Sequence, residues 1–297
     1  MGSNPPVPPI ELLPPEAGSA PPPQTVRRPR STWAIAPATH VLVAVNCLVF
    51  LAMILRGVSP MNPTTDQLLY QIPYFGADHA GLVLMYGQWW RIVTAMFMHV
   101  GIIHLATNMW CLWNLGLLAE PLMGSVGVLS VYLLTGAAGN LLSTFENWRE
   151  ASPDLTQLIR QFHAHIPFDQ FLRLFPAGAG ASGAVFGIAG ALIVLLKSHR
   201  LPVPPRELHK LRRSVIYFAA INLAIGFSIS FGSRYTGVSI DNMAHLGGFS
   251  CGLLFAAPMV PRIGSARQQF TDRRNLAVVM VTAILVLFGV FLARFAG

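Results

Sequence analysis

Seven apolar stretches, each near the length needed to cross a membrane, divide the chain at about 39–55, 102–122, 126–144, 181–197, 214–231, 242–260 and 275–294. A helix requires about 20 apolar residues to span the ~30 Å hydrocarbon core, and only helices and closed barrels satisfy their own backbone there. The expected fold class is therefore an all-α polytopic membrane protein. Composition agrees: 53% of the 297 residues are hydrophobic and 11% are charged, against about 25% charged in soluble domains. That balance excludes a soluble cytosolic enzyme, a disordered regulator and a secreted disulfide scaffold. Cys47, Cys111 and Cys251 fall inside apolar stretches, where a thiol packs as a small hydrophobe. The net charge of +8 is not read as a nucleic-acid footprint, because Lys and Arg gather in the cytoplasmic loops of membrane proteins; no nucleic-acid partner is expected.

Residues 1–31 hold ten of the 23 prolines, no apolar run, and Arg27, Arg28 and Arg30 near their end. They read as a disordered Pro-rich cytoplasmic tail, not a signal peptide. With that end inside, the inner segments also collect Lys197, Arg200, Arg206, Lys210, Arg212, Arg213, Arg262, Arg267, Arg273 and Arg274. Thirteen of the 20 basic residues then lie inside, as the positive-inside rule requires. The second, fourth and sixth stretches run from outside to inside in this orientation. Two outer connections are long. Residues 57–101 contain the interfacial run Gln88-Trp89-Trp90-Arg91. Residues 145–177 carry Leu155, Leu158, Ile159 and Phe162 at helical spacing, which fits either amphipathic helices lying on the membrane or a cap folded on itself.

Polar residues inside a bilayer are costly and mark function. The second stretch opens with His99-Val-Gly-Ile-Ile-His104-Leu-Ala-Thr-Asn108, the fourth with Gly178-Ala-Gly180-Ala-Ser182-Gly183, the sixth with Asp241-Asn242-Met-Ala-His245-Leu-Gly247-Gly248. If each helix starts where its apolar run starts, Ser182 lies ~2 Å deep, His104 ~3 Å, His245 ~5 Å and Asn108 ~9 Å, all in the outer half of the core. Small residues recur four apart as Gly183, Gly187 and Ala191 in one helix and as Gly248, Gly252 and Ala256 in another. Such spacing lets two backbones approach closely in lipid, and it sets Ser182 and His245 at the top of the shared contact. A serine hydroxyl needs an adjacent base to act as a nucleophile. Neutral His245 can accept its proton and return it to a leaving amine. The oxyanion formed on attack needs fixed donors; His104, Asn108 and the Ser182 backbone N–H, free at a helix start, are placed to supply them. His99 lies about 140° round the helix from His104, or ahead of it, and is expected to line the water entrance.

His99-x4-His104-x3-Asn108, the Gly180-Ala-Ser182-Gly183 box and Ala244-His245-Leu-Gly-Gly248-x3-Gly252 together resemble the rhomboid family of intramembrane serine proteases. Trp90-Arg91, Glu120, Tyr132 and Gly136-Ala-Ala-Gly139-Asn140 are similar to further features of that family. The resemblance spans 39–260. It implies a six-helix core, with 275–294 as an additional seventh transmembrane helix. It also implies a Ser182–His245 dyad in a cavity open to the periplasmic or extracellular side, and substrates that are single-span or polytopic membrane proteins cleaved in or near their transmembrane segments. Phe186 stands where the family places an aromatic ring against the histidine. No cofactor and no metal are expected.

The 145–177 connection departs from the family, in which this link is short. Asp241 precedes His245 by four residues and invites a triad, but an Asp that opens a helix is a ready N-cap, and a dyad is preferred. His163 and His165 lack a third ligand at a supporting spacing. A catalytically inactive rhomboid-like client-binding protein is the alternative function; a transporter fits less well, because the polar residues gather toward one face, not the midplane. Eighteen arginines against two lysines point to a GC-rich bacterium and hence to an inner membrane.

Overall fold

The computed structural model describes residues 35–61, 63–161, 167–198, 201, 203–236, 240–262 and 266–296. The Pro-rich tail 1–31, Phe162, His163 and His165 lie outside the described residues. Every apolar stretch of the sequence falls on a helix. These are α1 (Pro37–Leu55), α5 (Ile102–Gln161), α7 (Ser182–Leu195), α8 (Pro205–Thr236), α9 (Asn242–Ala256) and α10 (Arg267–Ala296). Short helices α2 (Ile72–Phe75), α3 (Ala80–Leu84) and α4 (Arg91–Thr94) fold the first long connection, expected to be outer, and α6 (Phe168–Leu174) lies in the second. Among the described residues no strand forms; a single antiparallel bridge joins Asp78 to Gly178.

Helix α5 carries two of the apolar stretches, folded back at one residue. Gly124 has φ +75° and ψ 165°, a conformation that only glycine adopts readily, and the limbs 102–123 and 125–161 leave it in different directions. Glu120 sits just before this corner and accepts hydrogen bonds from Ala38 N (2.8 Å), Thr39 N (2.9 Å), Thr39 Oγ1 (2.7 Å) and Ser125 Oγ (2.6 Å). Helix α1 has no cap of its own, and its first amides lack intrahelical acceptors. The carboxylate of another helix supplies them.

Three helices form the centre. Helix α9 packs on α7, and both pack on α5, around a core that includes Leu112, Val131, Ile188, Leu192 and Phe255. The second limb of α5 turns a polar stripe inward. Tyr132 Oη donates to Met96 O (3.0 Å) and accepts from Asn46 Nδ2 of α1 (2.9 Å). Asn140 Nδ2 donates to Ile92 O (2.8 Å). The same limb runs on through the expected outer insertion as far as Gln161. There Trp148, Ala151 and Leu155 are buried against Ala80, Leu82, Phe171, Leu172 and Phe175, with the Trp148 and Phe175 rings stacked at 5.6 Å. The insertion is thus a cap built on the first outer connection, because its apolar face meets α3 and α6; the side chains of Leu158, Arg160 and Gln161 are outside the described residues.

Close approach of α9 is specific to its glycines. A Cβ on Gly248 would stand 2.0 Å from Gly183 O, and one on Gly252 2.0 Å from Gly187 O. The facing surface of α7 differs from the four-residue spacing read in the sequence. Gly183 and Gly190 turn toward α9, where a Cβ would meet Ala244 O at 3.1 Å and Phe249 O at 2.5 Å. Gly187 turns its Cα instead to the Thr135 side chain of α5 and meets α9 through its carbonyl. Gly252→Ala therefore drives a methyl into backbone that cannot move aside. The expected result is a loss of stability of about 1–3 kcal/mol, the usual cost of overpacking, together with loss of activity. Gly289→Ala, whose methyl would meet Trp89 at 3.7 Å, serves as control. Thermal unfolding that is equal in the two variants would show that α7 and α9 do not meet through Gly252.

Candidate active site

Ser182 is the first residue of α7, and the chain that delivers it is held at nearly every step. Gly178 and Asp78 exchange N–H···O bonds of 2.8 Å each. Gly180 N donates to Ala95 O (3.0 Å), and Ala181 N donates to His99 Nε2 (3.3 Å). Gly180 has φ +137°, a left-handed value that a side chain would strain. A Cβ there would also stand 2.9 Å from His104 Cε1 and Nε2 and 3.8 Å from Ser182 Oγ. The glycine is what lets the His104 imidazole and the Ser182 hydroxyl share one small space.

Helix α7 has 14 residues, ~21 Å at 1.5 Å per residue, against a hydrocarbon core of ~30 Å. A helix this short cannot reach both surfaces. At least one of its ends therefore stops short of the membrane surface. Ser182 is partly exposed, and so is His104.

The histidine of α9 comes to the same place. Asp241 caps α9 by accepting from Ala244 N (2.8 Å), which sets His245 in the first turn. Its ring stacks on Phe186 with centroids 4.4 Å apart and planes inclined by 19°. Phe186 lies one turn below Ser182, and Ala244 O abuts Gly183, so the neighbours of Ser182 and His245 touch on both sides. Among the described residues His245 Nδ1 has no hydrogen-bond partner. The Asp241 carboxylate is engaged by Ala244 N and by Ser143 Oγ (2.5 Å); it acts as a helix cap, not as an orienting group for His245.

On the second limb's neighbour, the first limb of α5, Asn108 Nδ2 donates to His104 O (3.0 Å). An amide nitrogen has two N–H groups, so one remains for a ligand. His99 is corrected by the structure. It is fully buried, 0% exposed, and does not line a water entrance. Its Nε2 accepts the Ala181 amide, which assigns the neutral tautomer with the proton on Nδ1, and its ring meets the His104 ring edge-on at 5.1 Å. It therefore fixes both the serine loop and the neighbouring imidazole. Arg91 is likewise buried: Nη1 donates to Pro73 O and to Ala77 O (3.0 Å), Nε donates to Gln88 Oε1 (2.7 Å), and the guanidinium lies 4.6 Å from the Trp90 ring centre. The Trp90-Arg91 pair staples the first outer connection that supplies Ala95 and His99.

Glycines that the sequence marks without showing what they face complete the frame. A Cβ on Gly139 would strike Ala244 O at 2.5 Å, and one on Gly247 would strike Ala138 O at 2.8 Å, so the second limb of α5 also meets α9 backbone to backbone, somewhat less closely than α7 does. Gly136 and Gly139 on one helix were the available signal. Among the described residues no group of three His, Cys, Asp or Glu side chains is placed to hold a metal ion.

Comparison with known proteins gives one family. The family model described as Rhomboid domain matches residues 86–262. The rhomboid protease GluP of Bacillus subtilis is 30% identical over 251 residues, 84% of this chain and 39% of that protein. RHOMBOID-like protein 1 of Arabidopsis thaliana is 28% identical over 71% of this chain and 46% of its own length. The rhomboid protease AarA of Providencia stuartii is 28% identical over 90% of this chain and 85% of its own. The chain thus spans less than half the length of the first two relatives and most of the third. The matched region takes in more than half of the chain and runs from Tyr86 through the Ser182 and His245 helices to Arg262. With its all-α, multi-pass architecture, the chain belongs to the rhomboid family.

Proposed function

We propose that this protein is an intramembrane serine endopeptidase that cleaves peptide bonds in or near transmembrane segments of membrane proteins by a Ser182–His245 dyad. The observation that carries this reading is the convergence of two helix starts. A partly exposed serine opens a helix too short to span the hydrocarbon core, and a histidine stacked on Phe186 lies in the first turn of the helix packed against it. Helices α7 and α9 meet through glycines, so the approach of the two side chains is set by rigid backbone.

The reaction follows from these placements. Ser182 Oγ attacks the scissile carbonyl carbon while its proton passes to His245. The carbonyl oxygen becomes an oxyanion, held by the Ser182 N–H, the His104 ring and the free N–H of Asn108. The intermediate collapses as His245 gives its proton to the departing amine, which leaves an acyl ester on Ser182. A water then attacks the ester with His245 again as base, and the second product leaves as a carboxylate. Cleavage inside a bilayer needs this arrangement, because a peptide bond in a substrate helix is shielded from water until it unwinds into a polar cavity. Single-span and polytopic proteins both supply such segments. The basic residues of the inner loops support an N-terminus in the cytoplasm and a site open to the periplasmic or extracellular side of a bacterial inner membrane.

Ser182→Ala and His245→Ala are each expected to abolish cleavage of a model single-span substrate, and the double variant to be no worse than either single one. A serine-directed fluorophosphonate is expected to label wild type and not Ser182→Ala. Labelling without cleavage of any membrane substrate would favour a client-binding protein.

His104→Ala and Asn108→Ala are expected to lower kcat by roughly 10²–10³-fold each, the usual cost of an oxyanion donor. A pure rise in KM would instead make them substrate-positioning residues.

Gly180→Ala places a methyl against the His104 ring at a strained φ. Fluorophosphonate labelling of Ser182 is expected to slow by about 10²-fold, as displacements near 1 Å commonly do, with helical content unchanged by circular dichroism. Labelling at the wild-type rate would show that the loop accommodates a side chain.

A further inference from the structure

Two carboxylates flank Gly178 behind the site, and neither belongs to the reaction described above. Ser143 and Thr144, consecutive on the second limb of α5, hold one each. Ser143 Oγ donates to Asp241 Oδ2 (2.5 Å), and Thr144 Oγ1 lies 3.0 Å from both oxygens of Asp78. Gly178 fits between the acids. The point where its Cβ would stand is 3.5 Å from Asp241 Oδ2 and 3.9 Å from Asp78 Oδ2. Asp78 is 2% exposed.

Each acid is tied to a different half of the site. Asp78 bonds through its backbone to Gly178, at the head of the segment that leads to Ser182. Asp241 caps the helix that carries His245. One cation faces the pair: the Arg91 charge favours ionised Asp78, but its hydrogen bonds go to Pro73 O, Ala77 O and Gln88, and its pull is weaker than the effect of burial. His79, next to Asp78, uses Nδ1 to accept from Leu82 N, and burial pushes its imidazole down to about 4, so it is uncharged at neutral pH. Asn147 Nδ2 donates to Ser143 Oγ (3.3 Å), and His245 lies one turn further along α9. Among the described residues neither acid forms an ion pair.

Two buried acids whose oxygens both lie within 4 Å of one point beside Gly178 oppose each other's ionisation, and burial adds to this, which favours a proton on one of them. A helix N-terminus favours the ionised acid, which assigns the charge to Asp241 and the proton to Asp78. We propose that Asp78 is a positioning residue that works in its protonated form: neutral Asp78 beside ionised Asp241 lets the Ser182 segment close against the His245 helix, and loss of its proton sets two charges against each other across Gly178 and draws the two halves apart. Burial, with the charge of Asp241 added, pushes the Asp78 carboxyl up to about 7, inside the physiological range.

The sign of the pH dependence is fixed. An unfolded Asp titrates near 3.9, so between about pH 4 and 7 the folded protein holds a proton that the unfolded chain has lost. Stability from Asp78 is complete below that window and falls as pH rises through it. The effect on rate rests on the Ser182–His245 reading; the effect on stability does not.

The test compares wild type, Asp78→Asn, Asp241→Asn and Thr144→Val in one bilayer preparation, by thermal unfolding and by cleavage of a model single-span substrate from about pH 5 to 8.5. Asp78→Asn keeps the shape without the titration. Its Tm is expected to gain on wild type as pH rises, and its cleavage rate relative to wild type to climb about threefold or more across the same range. Asp241→Asn retains a good N-cap and removes the opposing charge, so it is expected to lessen the wild-type slope in part, with burial still holding the Asp78 carboxyl up; it decides the matter if Asp78→Asn does not fold. Thr144→Val, which loses a hydrogen bond but no charge, is expected to lower Tm equally at every pH. Unfolding curves whose pH slopes match wild type in both Asp variants would overturn the proposal. If no form of the protein, wild type included, cleaves substrate, the protease reading fails while the Tm slopes still decide the acid pair.

Discussion

Contact between the backbones of α7 and α9 is the constraint on which the site depends. Lipid tails are as apolar as the helices, so no hydrophobic force drives two helices together inside a membrane; packing and polar contacts must do so. Gly248 and Gly252 reach the carbonyls of Gly183 and Gly187 so closely that a Cβ would overlap them. With a Cβ bonded about 1.5 Å from its Cα, each glycine Cα lies within ~3.5 Å of a facing oxygen, the range of weak Cα–H···O bonds. Such contacts are short-ranged and leave little freedom of rotation or sliding. The serine and the histidine, each within one turn of this seam, inherit its precision.

The second limb of α5 answers a related difficulty. The first outer connection carries irregular backbone, and backbone groups hidden from water need partners. Tyr132, Asn140 and Thr144 recur on one face of the limb and reach, in turn, Met96 O, Ile92 O and the Asp78 carboxylate. The connection is thereby fastened along its length, and with it Ala95 and His99, which hold the Gly180 and Ala181 amides. Polar residues that look costly in an apolar stretch turn out to be the fasteners of a loop.

Much of this architecture was legible in the sequence because hydropathy leaves few alternatives over twenty residues. Ser182, His245, His104 and Asn108 stood out because a polar group in an apolar run is expensive, and Phe186 because the resemblance to the rhomboid family places an aromatic ring there. Other features depend on partners far away in the chain. The run 145–161 carries Glu146, Arg149, Glu150 and Asp154 and reads as surface; its burial at Trp148 and Leu155 is decided by α3 and α6. Four-residue spacing marks a small face without fixing how the helix is rotated, so the turn of Gly187 toward Thr135 could not be read. His99 looks like any polar residue at a helix start until Ala181, 82 residues later, is brought beside it. Asp78 meets Thr144 only through a fold that closes 66 residues.

Glu120 has a consequence for the order in which the molecule is made. A chain is synthesised from its N-terminus, so α1 exists before the carboxylate that caps it. Until residue 120 arrives, the Ala38 and Thr39 amides have no acceptor from within the helix, and an acid buried without donors would be equally ill placed. Each defect is the remedy for the other. The corner at Gly124 follows four residues later, so the hairpin of α5 turns back just as its carboxylate finds those amides. Helix α1, made before α5, thus presents the open amides on which the hairpin of α5 is fastened.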